Sequence, residues 1–182
     1  MTHYGGKNLA AAFRTVRTNT IKIAGEIPEE QYDFRAAPDA RSVREALVHI
    51  ALGTMFPDAV HPPRVTDMKT IDFQEFMSRM NAEQSQARTK AEIVAMLQAR
   101  GEAFASYLDG VSDAFLAEEV TMMPGSTPAT KTRFEMLLGA KEHEMHHRGQ
   151  LMLMERMIGI VPHLTRDFLE RMARMPPAPA AR

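Results

Sequence analysis

"TRFEMLLGAKEHEMHHRGQLMLMERMI", residues 132–158, reads as one uninterrupted helix of roughly seven turns. Thr132 opens it and Gly159 stops it. At about 100° per residue, Met136, Ala140, His143, His147, Leu151, Met154 and Ile158 share a sector roughly 80° wide. A long helix with one apolar stripe needs other helices to cover that stripe, so the segment calls for a bundle.

Upstream, three further stretches supply partners. Lys7 to Gly25 carries Leu9, Phe13, Val16, Thr20 and Ile23 at three- and four-residue steps, and Gly25 and Pro28 end it. "SVRE", Ser42 to Glu45, has the spacing of a capping box and predicts a second helix reaching Phe56, ahead of Pro57. Thr89 to Leu108 places Ile93, Val94, Leu97, Phe104 and Leu108 inward as a third. Shorter pieces complete the pattern: a helix from Asp72 to Met80, an extended stretch around Val120, and a terminal helix in "TRDFLERMARM" after Pro162. Met122, Met123 and Pro124 are expected to line one end of the bundle. The predicted architecture is all-α, a four-helix bundle with short additional helices. It forms one domain over residues 1–172, followed by a Pro/Ala-rich tail over 173–182.

Composition narrows the function. The 182 residues carry a net charge of −1, which offers no basic surface for nucleic acid. There is no cysteine, so disulfides, thiolate metal sites and a cysteine nucleophile are excluded, and a metal would need imidazole or carboxylate ligands. No apolar run approaches the ~20 residues that span a bilayer, and the N-terminus lacks the pattern of a signal peptide. The expectation is a soluble cytoplasmic protein that binds neither nucleic acid nor membrane.

The histidines carry the chemistry. His143 and His147 lie one turn apart on the apolar stripe, a spacing that lets both imidazoles face one metal ion. The spacing alone is weak evidence. Two buried histidines that are simply hydrogen-bonded fit it equally well. His146 sits about 100° from the stripe's centre and reads as a neighbour, not a ligand. His49, in "ALVHIAL", lies at the edge of the second helix's apolar side, where Ala46 and Gly53 leave room for its ring to approach another helix. His61 and His163 fall in proline-bearing connectors and read as surface residues, and His3 falls in a terminal segment expected to be mobile.

"YDFRAAPDARSVREALVHI", Tyr32 to Ile50, together with "HEMHHRGQLM", His143 to Met152, resembles the DinB/YfiT-like family of four-helix-bundle metalloproteins, unrelated to the DNA polymerase that shares the name DinB. The resemblance runs from the first helix to about Pro162. It implies a metal triad of one histidine on the second helix and two on the fourth, which fall here on His49, His143 and His147. It further implies a divalent ion, zinc or nickel first, and a small-molecule substrate. The activity implied is a metal-dependent transferase that moves a thiol onto an electrophile. Since the chain has no cysteine, a low-molecular-weight thiol would have to enter as cosubstrate. A homodimer is implied too, with Gly149 as a place of close helix or subunit approach. The alternatives are a non-catalytic metal- or small-molecule-binding stress protein and a metal-dependent hydrolase. The hydrolase reading draws on the literal His-Glu-x-x-His match at His143, Glu144 and His147, in which Glu144 would activate a metal-bound water. Against it, the sequence shows no sheet to orient a peptide. Glu144 has two other readings, a partner for an imidazole N–H or a solvated side chain.

Overall fold

The helices begin where their local chemistry says they should. In the computed structural model, which describes residues 4–175, Ser42 accepts a hydrogen bond from the Glu45 amide while the Glu45 carboxylate accepts from the Ser42 amide. The same reciprocal cap opens two later helices, at Thr89 with Glu92 and at Thr132 with Glu135. Each cap satisfies amides that the first turn leaves without a partner. His3 and the tail from residue 176 onward lie outside the described residues.

In chain order the elements are α1 (Gly6–Glu26), α2 (Val43–Leu52), α3 (Met55–Val60), α4 (Phe73–Gln84), α5 (Lys90–Gly110), α6 (Asp113–Leu116), β1 (Glu119–Thr121), β2 (Thr130–Thr132), α7 (Arg133–Met157) and α8 (His163–Ala173). α1, α2, α5 and α7 make the bundle: α1 and α2 each pack against both α5 and α7, and α4 packs outside against α2. β1 and β2 pair antiparallel, with Val120 opposite Lys131, so the extended stretch around Val120 is one strand of a small hairpin. Gly159, at φ +86°, provides the left-handed turn that ends α7.

Two expectations about element limits need correction. The second helix stops at Leu52, and Pro57 lies inside the next helix, α3. Proline is tolerated there because it occupies the first turn, where its missing N–H would have had no intrahelical partner. The fourth piece, expected to end at Met80, continues to Gln84.

The core is in three parts. One gathers Ile23, Tyr32, Leu47, Ile50, Ile93, Leu97, Leu151 and Met154; a second, at the other end, gathers Leu9, Phe13, Phe104, Leu108 and Leu137. A third and smaller cluster, Val60, Met68 and Val120, sits beneath the connectors, with Met122 packed against it.

A buried ion pair also crosses the bundle. Arg17 of α1 is 4% exposed and Glu144 of α7 is 2% exposed. The Arg17 Nε donates to both Glu144 oxygens at 3.0 Å, while its other nitrogens donate to the Leu97 and Ile50 carbonyls. Gly101 of α5 makes room for this side chain, since a Cβ there would stand 2.7 Å from the Arg17 Cγ.

That pair explains why the inward face of α7 is not the sector read from its apolar residues. The buried positions are Arg133, Leu137, Glu144, His147, Leu151, Met154 and Glu155. Their centre is turned by roughly 40° from the expected stripe. Three charged side chains face the interior, and His143 falls at the edge of the buried face. Among the described residues, no neighbouring element comes within 4 Å of the place a Cβ on Gly149 would occupy, so no described helix approaches it closely.

Candidate metal centre

α2 and α7 run side by side, and their contact brings His49 against His143 and His147. The three rings stand edge to face in a closed triangle, with centroids 4.9, 4.7 and 4.6 Å apart. His49 Nε2 lies 3.0 Å from His143 Nε2, and one ring nitrogen from each of the three lies within 4.8 Å of the others. Gly53, one turn beyond His49, is what lets His143 in. A Cβ on Gly53 would stand 3.2 Å from the His143 Nδ1.

The electrostatics suit neutral imidazoles. Burial pushes the His49 pKa down to about 4, with the Arg41 charge and the other two rings adding to the effect. His143 is likewise pushed down to about 4 by burial and by its neighbours His147, His146 and Arg41. His147 is lowered as well, again chiefly by burial. At neutral pH all three keep a lone pair available, which is the state a metal ligand needs.

Two amide side chains address the outer nitrogens. His49 Nδ1 lies 3.3 Å from the Gln84 Oε1 at the end of α4, and His147 Nδ1 lies 2.8 Å from the Gln150 Oε1. The other end of the Gln150 amide lies 3.3 Å from His146 Nε2. A tetrahedral ion bound at about 2.0–2.1 Å spaces its ligand nitrogens by roughly 3.4 Å. The cluster therefore fits such an ion with adjustments of about an ångström.

The remaining histidines depart from their reading as surface residues. His61 is 2% exposed, accepts from the buried Arg133 at 3.4 Å, and is pushed down to about 4 by burial and by that arginine. His163 is 1% exposed and donates to the Asn19 side chain. Both connectors fold back onto the bundle, which the flanking prolines did not reveal. Glu144 is neither solvated nor a partner of an imidazole: both of its oxygens are held by Arg17. The base that the His-Glu-x-x-His reading required is thus committed elsewhere. Gln84 and Arg41 had no mark in the sequence, because neither belongs to the elements that carry the histidines. Gln150 stands three residues after His147, a spacing that could have suggested the contact.

The chain matches the DinB superfamily over residues 12–151 and belongs to it. Among solved structures it is similar to the DinB-like protein YjoA from Bacillus subtilis at 21% identity and a TM-score of 0.60, covering 83% of this chain and 92% of that one. It is similar to YfiT from Bacillus subtilis, a probable metal-dependent hydrolase with an unusual four-helix bundle topology, at 13% identity and a TM-score of 0.66, covering 88% and 91%. An uncharacterized protein from Clostridium difficile 630 shares 11% identity with a TM-score of 0.64, covering 86% and 98%. At these identities the likeness is one of fold. No curated protein matches the chain. Among the described residues no helix is long and apolar enough to cross a membrane.

Proposed function

We propose that this member of the DinB superfamily holds one divalent ion on His49, His143 and His147 and acts with it on a small molecule. The observation that carries the reading is the convergence of three neutral imidazoles from two helices, His49 and His143 half-buried and His147 buried, with ring nitrogens within 4.8 Å of one another. Zinc and nickel are the first candidates, because imidazole suits both. When bound, the ion supplies a Lewis acid that lowers the pKa of a thiol or water and draws it toward the nucleophilic form.

The chain's own residues favour transfer of a thiol to an electrophile. The three histidines bind and orient. Arg41, whose charge reaches all three rings, favours an anionic reactant at the same place. Glu144, the carboxylate next to His143 in the chain, is held by Arg17 and is not free to take a proton from water. A thiol, with its ordinary pKa near 8.5, needs less help than water to ionise. It must arrive as a low-molecular-weight cosubstrate, since the chain has no cysteine. Hydrolysis is the second reading, supported by the likeness in fold to YfiT. We place the work in a homodimer. The supporting observation is the outer face of α8, where Phe168, Leu169 and Met172 are all at least half exposed while Arg166, Asp167 and His163 face the bundle.

The test has two stages. Metal analysis of purified protein should find about one ion per chain, lost in His143→Ala and His147→Ala; retention in both variants would sink the site. A screen of zinc- and nickel-loaded protein against thiols paired with electrophiles, and against esters and amides, then separates the activities. Thiol-dependent turnover supports transfer, thiol-independent cleavage supports hydrolysis, and metal uptake without turnover supports a binding protein.

A further inference from the structure

We infer that Gln84 and Gln150 are positioning residues that fix which nitrogen His49 and His147 offer to a metal ion. The inference rests on the metal-site reading above. Each glutamine places its side-chain oxygen against an Nδ1, at 3.3 Å for His49 and 2.8 Å for His147. An amide oxygen only accepts, so each Nδ1 must carry the proton and donate it. Nε2 is then left with its lone pair. In His49 that nitrogen is the one 3.0 Å from His143, inside the triangle of rings.

Gln150 is placed between two histidines. Its oxygen faces His147, and its NH2 group is left to donate to His146 Nε2 at 3.3 Å. Reversing the amide would set an NH2 group against His147 Nδ1 and would move the proton to the wrong nitrogen. His146, exposed and outside the triangle, thus contributes by holding the glutamine that holds the ligand.

Gln84 is held from the other side. It is the last residue of α4, a helix outside the four that make the bundle. The turn after it is closed by Arg88, which donates to the Glu83 carbonyl at 2.6 Å and to the Glu83 carboxylate at 2.9 Å. Arg44 of α2 donates to the Arg88 carbonyl, so the helix that carries His49 also fastens the turn that follows its partner. On this view, packing α4 against α2 serves the site. Both partners are neutral, so they orient the rings without lending negative charge that would weaken the ion as a Lewis acid.

The experiment is competition for zinc against a chromophoric chelator at pH 7.5, with the cobalt(II) absorption spectrum as a second readout. It compares the wild type with Gln84→Ala, Gln150→Ala, Gln84→Glu and Gln150→Glu. Loss of either amide should weaken zinc about 10- to 100-fold and alter the cobalt spectrum, with the melting of the metal-free protein unchanged. The glutamate variants should restore affinity, since a carboxylate accepts the same Nδ1 proton more strongly. Alanine variants that bind zinc as tightly as the wild type would overturn the inference. So would glutamate variants as weak as the alanine ones, which would mark the residues as merely structural. A wild-type chain that takes up no zinc or cobalt would overturn the metal site beneath it, a distinct result.

Discussion

Replacing Glu144 by alanine should cost stability, not chemistry. The change removes the carboxylate paired with Arg17, and Arg17 is 4% exposed, so the guanidinium is left charged in the interior with the Leu97 and Ile50 carbonyls as its acceptors. Breaking one side of a buried ion pair typically costs about 3–5 kcal/mol. With a urea slope of about 2 kcal/mol per molar, the unfolding midpoint should fall by roughly 2 M. Removing both partners, as Arg17→Met with Glu144→Leu, should return most of that loss, because no charge is then stranded. The assay is urea unfolding followed by circular dichroism on the wild type, Glu144→Ala and the double variant, beside zinc uptake by the folded fraction. Zinc uptake should persist in the single variant below its unfolding transition. A loss of less than about 1 kcal/mol, or a variant of full stability that has lost its activity, would refute the reasoning. The second outcome would return Glu144 to the role of a base.

Four further outcomes are expected. Glu155 is fully buried with no hydrogen-bond partner for either oxygen, and burial together with Glu26 pushes its pKa up to about 7. A carboxyl raised in the folded state stabilises fully below its unfolded pKa, near 4.3, and that contribution is lost as pH rises through about 7. Glu155→Gln should therefore gain on the wild type between pH 5 and pH 8, by on the order of 2 kcal/mol, and equal unfolding curves at both pH values would refute it. Gly53→Ala should weaken zinc binding about tenfold by crowding His143, as read by chelator competition, with little change in the melting of the metal-free protein. Chelated protein should stay helical and melt cooperatively, because the buried clusters do not depend on the ion, and zinc at 100 times its Kd should add about 2.7 kcal/mol. Sedimentation at micromolar concentration should find a dimer that Phe168→Glu or Met172→Glu converts to monomer; a wild type that sediments only as monomer would count against the homodimer.

Much of this protein is legible in its sequence, and the reason is range. The cap at Ser42 and Glu45, the stop at Gly159 and the four helical stretches depend on residues a few positions apart, which a sequence displays directly. The one-turn spacing of His143 and His147 is of the same kind. Tertiary structure alone decided the rest. The pairing of α2 with α7 sets His49 3.0 Å from His143, and α4 folding back brings Gln84 to the same ring. The burial of His61 and His163 likewise depends on segments distant in the chain. Hydrophobic periodicity treats every charge as outward-facing. It therefore misjudged the α7 face where Arg133, Glu144 and Glu155 point in. A charge can be buried only when a distant partner or a shifted proton compensates it, and Arg17 stands 127 residues from Glu144, beyond the reach of any local pattern.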